Sequence, residues 1–160
     1  MGKTPTQKRA PRRRKPAGEE LVTYLVRVMD WDYYYSLRVS DPKSRWDPGA
    51  YSELATLSFS GDLIRPENSK YGKASITLSA RAGMLGEQPG LGTSSLGTLS
   101  VDGGEFFAYV FAPAERFGEL VTIAQSGKVQ IVHLVGSRIR YRSGLVLNIA
   151  LHMSFNEDEW

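Results

Sequence analysis

The chain has 160 residues, 41% of them hydrophobic and 23% charged, enough for one complete core and short for two. It contains no cysteine, which excludes disulfide frameworks, thiolate zinc sites, iron–sulfur clusters and cysteine nucleophiles. The formal net charge of +3 hides a division: Met1 to Pro16 holds seven basic residues (Lys3, Lys8, Arg9, Arg12, Arg13, Arg14, Lys15) and no acid, leaving 13 Lys or Arg against 17 Asp or Glu elsewhere.

That leading segment also carries Pro5, Pro11 and Pro16, and beyond Met1 its largest aliphatic residue is alanine. Like charges repel, proline blocks a helix, and no apolar surface is present to offset ordering entropy. Residues 1–17 are therefore read as a disordered basic arm, 18–156 as one β-rich domain and 157–160 as an acidic tail. No stretch has the length and apolarity of a membrane span, and the arm lacks the apolar region of a secretory signal, so an intracellular, cytoplasmic protein is expected. Met1-Gly2-Lys3-Thr4-Pro5-Thr6 fits an N-myristoylation pattern ahead of a polybasic cluster, so contact with a membrane is expected only if Gly2 is acylated.

From Leu21 the pattern alternates with period two. Residues 21–31 set Val22, Tyr24, Val26 and Val28 on one face and Leu21, Leu25 and Met29 on the other, as in a strand buried on much of both sides. Residues 33–40 place Tyr35, Leu37 and Val39 against Ser36, Arg38 and Ser40; Asp41-Pro42 and Asp47-Pro48-Gly49 then bracket a polar loop that contains Trp46. Two half-exposed strands are predicted over 52–60 and 73–80. Seven glycines between Gly83 and Gly104 mark a long connection with one short strand near 96–101, and Asp102-Gly103-Gly104 predicts a hairpin turn into a strand over 105–111.

The next segment predicts a helix over about 113–126: Pro113 suits a first turn, Phe117, Leu120, Val121 and Ala124 share a face, and Gly127 suits the position after the last turn. Strands over 128–135, 137–142 and 145–154 follow, the last two joined at Ser143-Gly144. In the final strand Leu145, Leu147, Ile149, Leu151, Met153 and Phe155 are expected on one face, opposite Val146, Asn148, Ala150, His152 and Ser154. The sum is a mainly β fold, an antiparallel sandwich or barrel of about eight or nine strands with one covering helix.

No catalytic residue set, metal site or cofactor is assigned. His133 and His152 lie in apolar strands without a second ligand at i+2 or i+4, so each reads as a strand histidine; a two-histidine site requires the two to meet across the sheet. Asp30 and Asp32 flank Trp31 on one side of an extended chain, as a carboxylate pair or simply as a solvated strand end. The glycine cluster matches no phosphate-binding fingerprint.

Two constellations speak to binding. Arg138, Arg140 and Arg142 alternate, so a strand would project three guanidinium groups from one face at a spacing near that of phosphates on an extended strand; pairing with acids of a neighbouring strand is the competing reading. Seven of the 17 aromatic residues fall between Tyr24 and Tyr51, and of these Trp31, Tyr34 and Trp46 are the candidates for contact with a partner or ligand.

Three functions compete. A non-catalytic binding or assembly protein would contact nucleic acid without marked sequence preference through Lys8, Arg9, Arg12, Arg13, Arg14 and Lys15, aided by Arg138, Arg140 and Arg142, with self-association as a variant. A protein-interaction or inhibitor module would use the aromatic surface over 24–51. A small-ligand barrel or enzyme would use the glycine-rich 83–104 segment as a gate.

Overall fold

A computed structural model describes residues 20–39, 43, 51–67, 69–84 and 95–156. The basic arm, the acidic tail, Trp46 and Gly86, Gly90 and Gly92 of the glycine-rich segment lie outside the described residues.

Alternating apolar residues build seven strands: β1 (Leu21–Val39), β2 (Tyr51–Arg65), β3 (Lys73–Arg81), β4 (Gly97–Asp102), β5 (Glu105–Pro113), β6 (Ile131–Ser137) and β7 (Ser143–His152). One helix, α1 (Ala114–Gln125), joins β5 to β6. The strands close into a ring in the order β1-β2-β3-β5-β4-β7-β6, sealed by the β6 pairing back onto β1. Every pairing is antiparallel except β3 with β5, which run parallel because β4 is placed on the far side of β5. Closure removes the sheet edges that an open arrangement would leave.

The strand number falls below eight for two reasons. The segments expected at 21–31 and 33–40 are one 19-residue strand. A bulge lets it continue: Val28 faces Gly61 and Asp30 faces Ser60, so Met29 is extra and exposed, and the inward parity moves from Tyr24 and Val26 to Trp31 and Tyr33. Gly61 is required there, since a Cβ at that position would lie 1.8 Å from the Arg27 carbonyl oxygen. The segment expected as a strand over 137–142 is instead a turn, described below.

Inside the ring Leu57, Phe59, Ile76, Leu99, Phe106, Val110, Leu134 and Val146 are fully buried. The expected facing of the last strand is only partly right. Gly136 pairs with Val146 and Val135 with Asn148, so Leu147 is skipped and exposed while Val146 joins Ile149 and Leu151 in contact with the core. A one-residue insertion flips every later side chain to the other face, and alternation in the sequence does not reveal it. The helix spans its expected range. Phe117 and Ala124 are buried, Leu120 and Val121 pack on the core, and Gly127 at φ 67 ends it with its N–H donating to the Ala124 carbonyl at 3.0 Å.

β1 and β2 are longer than the ring. β6 accompanies β1 only to Arg27, and β3 accompanies β2 only from Thr56 onward. Beyond those points Tyr35–Val39 and Tyr51–Ala55 pair with each other alone among the described residues, as a two-stranded ribbon that Tyr33 and Tyr34 lead into.

Candidate functional site

At the end of the ring opposite the ribbon, the start of β1, the 66–72 connection, the β4–β5 turn and the β6–β7 turn meet. Arg138 donates its backbone N–H to the Glu20 carbonyl at 3.0 Å, and Val101 donates to the Arg142 carbonyl at 3.1 Å. Between them opens a cleft of about 370 Å³ walled by Val22, Tyr24, Leu63, Tyr71 and Ile139. Tyr24 forms its floor, stacked on Phe106 at 5.1 Å, with its hydroxyl donating to the Ser137 carbonyl at 3.1 Å. Burial pushes the Tyr24 phenol above its ordinary pKa, so it stays neutral and serves as a wall. A neighbouring hollow is lined by Lys70, Tyr71, Asp102, Gly103, Gly104 and Arg142.

The arginine stripe is not a strand. Arg140 and Ser143 exchange backbone hydrogen bonds at 2.9 and 3.1 Å, and the two residues between them, Tyr141 and Arg142, have φ of 51° and 69°. Positive φ at both central positions is the backbone of a tight hairpin turn whose twist matches its strands. Ile139 packs against the core, and β6 ends at Ser137, whose Oγ accepts the Leu145 N–H at 2.8 Å. The three guanidinium groups therefore fan out rather than align. Arg138 pairs with Glu20 at 3.0 Å and Arg142 with Asp102 at 2.8 Å, both exposed. Arg140 is exposed and makes no ion pair among the described residues. At the tip, Tyr141 is 101% exposed, fully in solvent between two arginines.

Tyr141 is the residue that sequence reasoning missed, because alternation assigned it to the face opposite the arginines. The signal was present in the short spacing between Ile139 and Leu145, which leaves room for a two-residue turn at Tyr141-Arg142 in place of the expected Ser143-Gly144. Lys70 and Tyr71 were missed because they reach the rim through a connection, not a strand.

The other candidates separate. Trp31 is half-buried against the core, whereas Tyr34 is exposed on the ribbon's outer face. Asp30 accepts the Trp31 backbone N–H at 2.8 Å, and both Asp30 and Asp32 are exposed outside any shared cleft. His133 and His152 do meet, on the outer surface of β6 and β7, with ring centroids 5.7 Å apart. Burial, and secondarily the neighbouring His152, lowers the His133 pKa. Among the described residues no group of three or more His, Asp or Glu side chains is placed to hold a metal ion. Of the glycine-rich segment, Gly97 lies inside the β4 ladder, where a Cβ would sit 2.0 Å from the Tyr109 carbonyl oxygen, and Gly103 and Gly104, at φ 55° and 87°, form the expected hairpin turn. No described helix is long and apolar enough to cross a membrane.

Comparison of the chain with protein-family models, curated proteins and solved structures returned no match.

Proposed function

We propose that this protein binds nucleic acid with little sequence preference, through the basic residues of 1–17 acting together with the rim at the start of β1. The observation that carries the reading is Tyr141. A non-glycine residue held in the left-handed region costs on the order of 1 kcal/mol or more, and such strain is retained where it presents a side chain for use. Here it presents a fully exposed ring between Arg140 and Arg142. An exposed aromatic face on a turn that also carries Arg140 and Arg142 suits an unpaired base with phosphates nearby, and the stacking tolerates any base because each has a π-face.

Arg138 of this turn engages the carboxylate of Glu20, and the seven basic residues of the leading segment precede Glu20 in the sequence. Phosphate contacts by those charges release counterions, which supplies affinity without sequence information. The assignment gives no side chain a catalytic role. Arg138 and Arg142 are held by exposed acids in pairs worth at most about 1 kcal/mol each, weak enough to exchange for phosphate.

Fluorescence anisotropy with a 20-nucleotide oligothymidine, measured across a salt series, tests this reading. The full chain should lose roughly a thousandfold in affinity between 50 and 200 mM salt. Removing residues 1–16 should abolish most of that slope, and Tyr141→Ala should weaken binding about tenfold while leaving the slope unchanged. Absence of binding by the full chain at 50 mM salt, or equal binding without residues 1–16, would refute it.

A further inference from the structure

The ribbon at the opposite end of β1 has an inner and an outer face. Trp31, Tyr33, Tyr35, Leu37 and Val39 of β1 point the same way as Phe59, Leu57 and Ala55 of β2, because directly paired residues share a face. Within the ring that face is core, with Leu57 and Phe59 fully buried. Beyond the ring it continues with no described strand or helix over it: Tyr35 is 50% exposed, Leu37 57%, Val39 59% and Tyr51 79%. The outer face alternates Asp32, Tyr34, Ser36 and Arg38 with Ser52, Leu54 and Thr56, as a solvated surface does. The ribbon is thus amphipathic, and its apolar side is a prolongation of the core.

We propose that a second copy of this chain covers this face, the two ribbons packing inner side to inner side about a two-fold axis. A two-stranded ribbon is marginal by itself and needs a packed face to persist. Tyr33, Tyr35, Leu37, Val39 and Tyr51 offer roughly 500 Å² per copy, so self-packing buries about 1,000 Å² in all, the threshold for a specific interface and at the weak end of the range. Outside the described residues, the stretches 40–42, 44–50 and 85–94 contain only Trp46, Leu85 and Leu91 as large apolar residues, fewer than the five to be covered.

The inner face beyond the ring carries one acidic side chain, Glu53 of β2, directly opposite Leu37 and hydrogen-bonded to Tyr35. Packing inner side to inner side requires Glu53 to turn to the edge of β2, which no other described strand covers there, while the apolar side chains meet across the axis. The contact sets the same patch against itself, as a two-fold interface does. This inference stands on the ribbon alone and does not depend on nucleic-acid binding.

The test combines oligomeric state with cross-linking, and the absence of cysteine provides a clean background. Sedimentation equilibrium of the full chain at 10–100 µM protein, a range above a Kd of about a micromolar, should show a dimer. Leu37→Glu and Val39→Glu should each weaken it at least about 30-fold, with unchanged far-UV circular dichroism, because both lie beyond the ring. A single cysteine from Leu37→Cys should form a disulfide-linked dimer on mild oxidation, whereas Arg38→Cys on the outer face should not. A monomer throughout this range, whether its face is covered by the chain's own segments or by a different protein, overturns the proposal. So does a dimer indifferent to both glutamates, and equal cross-linking through Arg38→Cys would replace face packing with edge-to-edge pairing.

Discussion

β1 is one strand with two unlike ends. At its start, β2 and β6 flank it, Tyr24 and Val26 are buried, and Arg138 and Arg142 are paired with Glu20 and Asp102. Some 18 residues further on, roughly 60 Å along an extended chain, β2 alone among the described elements remains beside it and the same apolar alternation lies open. The difference lies in neighbours, not in pattern. A period-two sequence prepares a face for burial, and burial happens only where other strands curl around to supply the opposite wall.

The sharpest way to break that contrast is to truncate the inner face at two depths. Phe59→Ala, inside the ring, should cost about 3–5 kcal/mol in urea unfolding. Leu37→Ala, on the same face past the ring, should change the unfolding of the monomer by less than about 0.5 kcal/mol. Comparable losses at both sites would show that the ribbon is packed within one copy.

Gly61→Ala addresses the place where the two halves of β1 join. Its methyl would collide with the Arg27 carbonyl, so the bulge must shift, at an expected cost of about 1–3 kcal/mol read from the denaturation midpoint. At the rim, the double change Tyr141→Asn with Arg142→Gly supplies residues that favour positive φ. It should stabilise the fold by about 1 kcal/mol, a rise of a few degrees in Tm, while weakening oligothymidine binding about tenfold. A variant both stabilised and fully active would remove the functional reason for the strained tyrosine.

The smallest effect concerns His133. Its folded pKa lies below the ordinary 6.5, so the unfolded chain binds the proton more tightly. The stability this histidine contributes is complete above pH 6.5 and declines as pH falls below that value toward the folded pKa. Tm should therefore drop between pH 7 and pH 5, and the drop should be smaller in His133→Gln. An identical profile would assign the acid sensitivity to the carboxylates.

Much of the architecture was legible from local chemistry. The β class follows from repeated alternation, the helix from the spacing of Phe117, Leu120, Val121 and Ala124 ahead of Gly127, and the β4–β5 turn from Asp102-Gly103-Gly104. What misled was continuity. Asp30-Trp31-Asp32 resembles a strand end, yet the bulge at Met29 carries β1 through it. Arg138 to Arg142 alternates as a strand does, yet Ile139 packs on the core and Tyr141-Arg142 turns the chain. In both cases a backbone irregularity reset the side-chain parity, and period-two reading assumes that parity never resets.

The amino-acid order alone determined the partition of charge, the predominance of strands, the position of the helix and the absence of cysteine chemistry, since each depends on composition or on contacts within a few residues. Only the tertiary structure decided that β1 closes onto β6, that β3 lies parallel to β5, that Tyr141 stands alone in solvent and that the apolar face of β1 outruns its ring. Those outcomes join residues far apart in the chain, and alternation specifies which side chains seek cover without specifying which distant strand will provide it.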